Sequence, residues 1–329
     1  MCLWLYTQEG LLHARTTNFQ RTALTLAGVL TGLLGDTGGK AIPVVTSSDV
    51  DEILFADTKA CPNLANLVAV GKKIGKELCE ADDDYEWACN ELKRILPGVV
   101  DDFYFNSYNY QFTDIYDVIT SCKAAGKAPA PGLDDPRLVA TINRLATKEF
   151  GPLVAPAVSD EHGHKHLRLS MGILLRTMTE NMEAAINAPV EGAHASLGQT
   201  DEAKPKLPLI FLYSGHDSTI MPLLSSLGVT RLTQWPPYLS NLVFELWELP
   251  SKKETVVRVL RDRQPLDIPH SPPGYCPTLT TFRDEVIGSL FITREALAEA
   301  CVVEIEHDTS MPKPRAMSMA SRSEEPDDE

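Results

Sequence analysis

Apolar residues are grouped along this chain in two ways. Short apolar runs that stop at a charged or small polar residue mark strands entering turns, and apolar positions three and four apart mark helices. Leu11-Leu12-His13-Ala14 ends at Arg15-Thr16-Thr17, after which residues 23–34 read as a long apolar helix. Ile42-Pro43-Val44-Val45 predicts a second strand, after the turn at Gly35-Asp36-Thr37-Gly38-Gly39-Lys40. Leu209-Ile210-Phe211-Leu212 leads into Tyr213-Ser214-Gly215-His216-Asp217-Ser218-Thr219 and the apolar stretch 220–227, the pattern of strand, tight turn and helix. Between these lie helical periodicity over 64–78 and 85–95, clustered aromatics over 103–112 and a Pro-rich turn over 128–136.

Residues 167–186 predict an amphipathic helix with Leu167, Met171, Leu174, Leu175, Met178 and Met182 on one side, expected to pack on the sheet. Residues 190–206 read as a polar loop. Over 242–268 the period drops to two: Val243, Glu245 and Trp247 alternate with Leu242, Phe244 and Leu246, a turn falls at Pro250-Ser251-Lys252-Lys253, and 256–260 returns as a hairpin. Glu245 reads equally as a buried carboxylate or as the solvent side of an edge strand. Residues 308–329, rich in Ser, Met, Pro and acid, predict disorder.

The 329 residues, 43% apolar and 23% charged, suffice for one large domain or two moderate ones. Apolar stretches break well short of a membrane span, and Met1 to Tyr6 lack the basic region and cleavage site of a secretory signal. A net charge of −15 argues against nucleic acid as a partner, because phosphate backbones are held by clustered Lys and Arg. The acidic run Glu77, Glu80, Asp82, Asp83, Asp84 and Glu86 lacks the alternating oxygen ligands of a calcium loop and is expected as solvated surface. Seven cysteines, odd in number and without a close pair, fit a reduced intracellular protein better than a disulfide scaffold, with room for one or two bridges.

Candidate chemistry concentrates at His216-Asp217. An imidazole beside a carboxyl can hold an anionic group with one side chain and supply a proton to a leaving group with the other. The bland alternative is that Asp217 only caps the next helix. Arg15 closes the first strand, whereas Arg21 reads as a helix-face charge or an outer contact of an anion site. His162-Gly163-His164-Lys165-His166 places alternate histidines on one side of an extended chain, but without a carboxylate or cysteine partner it is expected as a solvated loop before a helix. Gly38-Gly39-Lys40 is followed by Ala41 and does not make a phosphate loop. Ser214, His216 and Asp217 are too close in sequence to form a nucleophilic triad among themselves.

Arg15-Thr16-Thr17-Asn18 with Arg21 beyond it, and His216-Asp217 much later, resembles the histidine acid phosphatases, and within them the lysophosphatidic acid phosphatase branch. Further segments share the likeness, which runs patchily over roughly 11–305: Asp51-Glu52-Ile53-Leu54-Phe55, Ala60-Cys61-Pro62-Asn63, Trp235-Pro236-Pro237-Tyr238, Phe244-Glu245-Leu246-Trp247 and Tyr275-Cys276-Pro277. The resemblance implies a mixed, mainly parallel α/β sheet flanked by helices, with an inserted helical cap. Residues 1–57 and 166–307 would form the body, 58–165 the cap and 308–329 a tail.

It also implies that Arg15 and His216 contact the phosphoryl group, that Asp217 is the general acid, and that the pH optimum is acidic. No metal or other cofactor is implied. The substrate would be a small phosphomonoester or lysophospholipid, and a mitochondrial address is compatible with the intracellular one that the cysteines favour. One departure stands out: Arg-His-Gly-x-Arg-x-Pro, which carries the family's nucleophilic histidine, is absent, and the sole His-Gly is His162-Gly163. The expectation is a truncated homologue lacking its first central strand, with a catalytically dead binding protein as the alternative reading. A third reading is a chain that cannot fold without that strand.

Overall fold

A computed structural model of the chain describes residues 12–35, 41–101, 111–187, 210–229, 235–249, 252–269, 271 and 276–302. Strand β1 (Leu12–Thr16) lies between β2 (Val44–Val45) and β3 (Ile210–Ser214), all parallel, with Arg15 opposite Val45 on one side and Tyr213 on the other. Helix α1 (Gln20–Leu34) returns from β1 and buries Thr22, Leu26 and Leu30, a four-residue repeat that lays one stripe over Ala14. Parallel strands require a crossover. The one from β2 to β3 runs through α2 (Pro62–Glu80), α3 (Tyr85–Ile95), α4 (Gln111–Ala124), α5 (Pro136–Val154) and α6 (Glu161–Asn187). After β3 come α7 (Asp217–Ser226) and an antiparallel sheet of β4 (Leu242–Leu249), β5 (Glu254–Arg261) and β6 (Gln264–Pro265). The described chain closes with α8 (Leu279–Thr281), which continues as a π turn and a 3-10 turn to Leu290, and α9 (Arg294–Cys301). No described helix is long and apolar enough to cross a membrane.

Helices α2 to α5 enclose a core of their own around Leu92, Phe112, Leu138, Ile142 and Leu145. Two glycines let α2 approach α5: a Cβ on Gly71 would lie 2.3 Å from the Pro152 carbonyl oxygen, and one on Gly75 would lie 2.3 Å from that of Glu149. Asp135 caps α5, accepting from the Leu138 amide at 2.9 Å, with Pro136 at the first helical position where its missing N–H has no partner to lose. The acidic run is not all solvated surface. Asp82 has a side chain only 5% exposed and accepts from Arg144 at 2.8 Å and Lys148 at 2.6 Å, and these bonds, Arg144 first, hold its carboxyl far below the usual range.

The second core lies under α6. Leu167, Met171, Leu174 and Leu175 share this core with Val257 and Val259 of β5, Leu223 of α7, Leu227 just past its end and Leu290, with Tyr213 of β3 at its margin. The hairpin has the predicted two-residue period. Leu242, Phe244 and Leu246 face this core while Val243 and Trp247 are exposed, and Glu245 accepts from Arg258, its partner across the strands, which assigns it to the outer face.

A further expectation is corrected. Residues 162–166 are not a loop: α6 begins at Glu161, and His166 is fully buried. Alternating histidines suit a helix as well as an extended chain, and Gly163 lets this first turn pack against the Ala157 carbonyl, where a Cβ would sit at 1.9 Å. The cysteines left room for one or two bridges, and one is present: Cys61 at the head of α2 is bridged to Cys301 at the end of α9. That pair is 240 residues apart, which is why no spacing in the sequence announced it. The expectations for Gly38-Gly39-Lys40, the aromatics over 103–110, the loop over 190–206, Pro250-Ser251, Tyr275 and the tail over 308–329 lie outside the described residues.

Candidate active site

β1 and β3 end side by side, and both turn directly into helices at the same edge of the sheet. The Thr17 amide donates to the Ser214 carbonyl at 3.2 Å, and the Ser214 hydroxyl donates to the Thr22 carbonyl at 2.8 Å, which ties the two strand–helix turns together. The N-termini of α1 and α7 therefore open at one place, and helix N-termini favour anions through their free amides and dipole. His216 initiates α7. Its amide donates to Thr219 Oγ1 at 3.0 Å, and the Thr219 hydroxyl in turn reaches the Leu54 carbonyl.

The two nitrogens of His216 are both engaged, and their partners assign the tautomer. Arg21 Nη2 lies 3.1 Å from Nδ1, and a guanidinium only donates, so Nδ1 accepts and the proton sits on Nε2. Nε2 then donates to Thr17 Oγ1 at 3.0 Å, and the Thr17 hydroxyl passes its own hydrogen to Thr22 Oγ1 at 2.8 Å. Burial, and then the Arg21 charge, lower the His216 pKa, with Asp217 and Glu52 opposing them more weakly. Phe19 and Phe55 stand edge-on to the ring at 5.1 and 6.0 Å. Asp217 is fixed at both oxygens: Oδ1 accepts from the Ser218 amide at 2.7 Å and Oδ2 from the indole of Trp235 at 3.0 Å.

Arg21, His216 and Asp217 line one cavity of about 320 Å³. Its remaining walls are largely apolar, among them Phe19, Phe55, Val68, Phe150, Leu153 and Met171, with His166 and Ser170 of α6 also in the lining. Arg15 is not among the lining residues. Its guanidinium donates to Glu52 Oε1 and to Ser47 Oγ, each at 3.0 Å, in a pair whose side chains are 11% and 1% exposed. Glu52 Oε1 also accepts from the amides of Ile53 and Leu54, so this buried carboxylate holds both the strand-end arginine and the segment that carries Phe55. Among the described residues, no group of three or more His, Cys, Asp or Glu gathers to hold a metal ion.

Residues 5–262 match the family model of the histidine phosphatase superfamily (branch 2). The chain belongs to that family. It is similar to lysophosphatidic acid phosphatase type 6 of Mus musculus, 22% identical over 245 residues that make up 74% of this chain and 51% of that protein. It is also similar to 2-phosphoxylose phosphatase 1 of Rattus norvegicus, 34% identical over 143 residues, 40% of this chain and 28% of that one. The chain thus spans about half or less of the length of these relatives. Among solved structures it resembles a Hafnia alvei phytase in complex with tartrate, with a TM-score of 0.60 and 16% identity over 90% of this chain and 81% of the phytase, a likeness of fold alone.

The sequence signals at Arg15, Arg21, His216 and Asp217 meet at one sheet edge, but the two arginines are placed differently: Arg21 lines the cavity, whereas Arg15 pairs with Glu52 and does not. Trp235, Glu52 and His166 carried no assigned role in the sequence. Trp235 and Glu52 lay in segments marked by the family likeness and His166 in the histidine run, but no local pattern said what each side chain would touch. Glu52 and His166 reach their positions through contacts remote in the chain.

Proposed function

We propose that this site binds small phosphomonoesters, with lysophosphatidic acid and similar monoesters as the substrate class. The observation that carries the reading is the convergence of Arg21, His216 and Asp217 on one cavity at the N-termini of two helices. A phosphoryl group entering there competes with Nδ1 of His216 for the Arg21 guanidinium. Asp217 stands beside His216 to protonate the departing alkoxide. Arg15, neutralised by Glu52, fixes the strand end and the segment that carries Phe55 instead of gripping the phosphate directly. The apolar walls suit a substrate whose alcohol carries an acyl chain, and the name of the murine relative supports that class.

Attack on phosphorus is a separate matter. Complete members of the family are expected to use the histidine of Arg-His-Gly-x-Arg-x-Pro, which these 329 residues do not contain. Of the described imidazoles lining the cavity, His216 has both nitrogens engaged, and His166 is closed off from solvent. The reading is therefore of residues that hold the phosphomonoester and can protonate its alkoxide, with none of the described cavity imidazoles free to attack phosphorus.

Calorimetry with inorganic phosphate tests the first half: binding should weaken about 10- to 100-fold in Arg21→Ala, the loss of one charge-assisted hydrogen bond. Equal affinity in the variant would remove Arg21 from the site. For the second half, para-nitrophenyl phosphate should be hydrolysed no faster than in a protein-free blank. A product burst with a phosphohistidine trapped on this chain would overturn that part.

A further inference from the structure

The geometry points to Trp235 as a positioning residue: the helical layer α2–α5 holds the carboxyl of Asp217 in a fixed plane through the indole N–H. This rests on the proposed role of Asp217 in phosphomonoester chemistry. Trp235 is only 7% exposed, and its ring belongs to the core of that layer, 4.9 Å from Phe150 of α5 and 6.1 Å from Tyr116 of α4. Its amide donates to Asn143 Oδ1 of α5 at 3.3 Å, and the Asn143 side-chain nitrogen donates to Tyr116 Oη at 2.8 Å. Three residues on, Tyr238 shares a hydrogen bond of 3.0 Å with Ser121 of α4. The segment is thus fastened to the helical layer, yet its single polar side-chain atom points away from that layer to Asp217 Oδ2, on the strand-to-helix turn of the sheet.

The consequence for Asp217 follows from donor counting. An indole nitrogen donates and cannot accept, so Oδ2 must present a lone pair to Trp235 whatever the protonation state. Oδ1 is likewise taken on one side by the Ser218 amide. The two donors, from separate elements, prevent rotation of the carboxyl about its Cβ–Cγ bond. A proton held by Asp217 is then confined to the directions left open by those two bonds. With Ser218 alone the group would be hinged at one oxygen, so the helical layer supplies the second constraint.

The test uses the full chain labelled with 15N at tryptophan, in which the Trp235 indole resonance is identified by its loss in Trp235→Phe. That resonance should shift between acidic and neutral pH. That shift should vanish in Asp217→Asn, which keeps the shape and one acceptor oxygen for the indole N–H while its NH2 faces the Ser218 amide. Adding inorganic phosphate should move the same resonance, and by less than half as much in Asp217→Asn. A Trp235 indole that is indifferent to pH, or that titrates identically in both proteins, overturns the positioning role. If phosphate moves no resonance while the pH shift is present and Asp217-dependent, the phosphomonoester reading fails and the positioning of Asp217 by Trp235 is upheld.

Discussion

His166 is buried at 0% exposure with no hydrogen-bond partner among the described residues at either ring nitrogen, and burial, helped by nearby His162, lowers its pKa to about 4. The unfolded chain takes up a proton at this residue as the pH falls through its ordinary value of 6.5, whereas the folded chain resists until about 4. The stability that His166 contributes is therefore present above 6.5 and is lost as the pH falls from there to about 4, a difference on the order of 3 kcal/mol. Denaturant unfolding of the parent and of His166→Leu at pH 7 and pH 5 should show a shallower decline in the variant. Identical declines would mean that the ring is reached by water in the native state. Single residues were legible only where local pattern and role coincide. His216 and Asp217 follow an apolar run and open a helix, so their position was readable. The capture of Arg15 by Glu52 and of Asp217 by Trp235 depends on contacts across 37 and 18 residues, which no local pattern encodes.

Among the elements, the α2–α5 contact has the least tolerance. Gly71 and Gly75, one turn apart, face backbone carbonyls, and neither a backbone nor a carbonyl can rotate aside as a side-chain end does. Gly75→Ala should destabilise the protein by roughly 1–3 kcal/mol through this overpacking, even though alanine is the better helix former. Thermal melting compares it with Gly32→Ala on α1, where a Cβ meets nothing within 4 Å and a small gain in stability is expected. Equal effects at both sites would mean that the two helices are not in contact. The elements themselves were largely readable, because periods of two and of 3.6 survive in sequence: the hairpin, α1, the stripe on α6 and the turn after β3 were all anticipated. The start of α6 was not. Its first turn is polar, and polar residues three and four apart give no signal of which face will be buried.

At the scale of the whole molecule, the parallel sheet and the antiparallel sheet are joined by helices that come from distant parts of the sequence, and the bridge between Cys61 and Cys301 closes every element from α2 to α9 into one covalent loop. Asn63 reinforces the closure, donating to the carbonyls of Ala300 at 2.7 Å and Val302 at 3.0 Å. Replacing Cys301 by Ser should lower the stability by roughly 2–5 kcal/mol, read as a drop in melting temperature of about 5–15 °C relative to the oxidised parent. An unchanged melting temperature would show that the thiols are not paired in solution. The same bridge has a practical consequence for anyone handling the protein. A protease that cuts once anywhere between the two cysteines produces two polypeptides that still travel together, so a non-reducing gel shows a single unaltered band. Only the reduced lane reveals the cut.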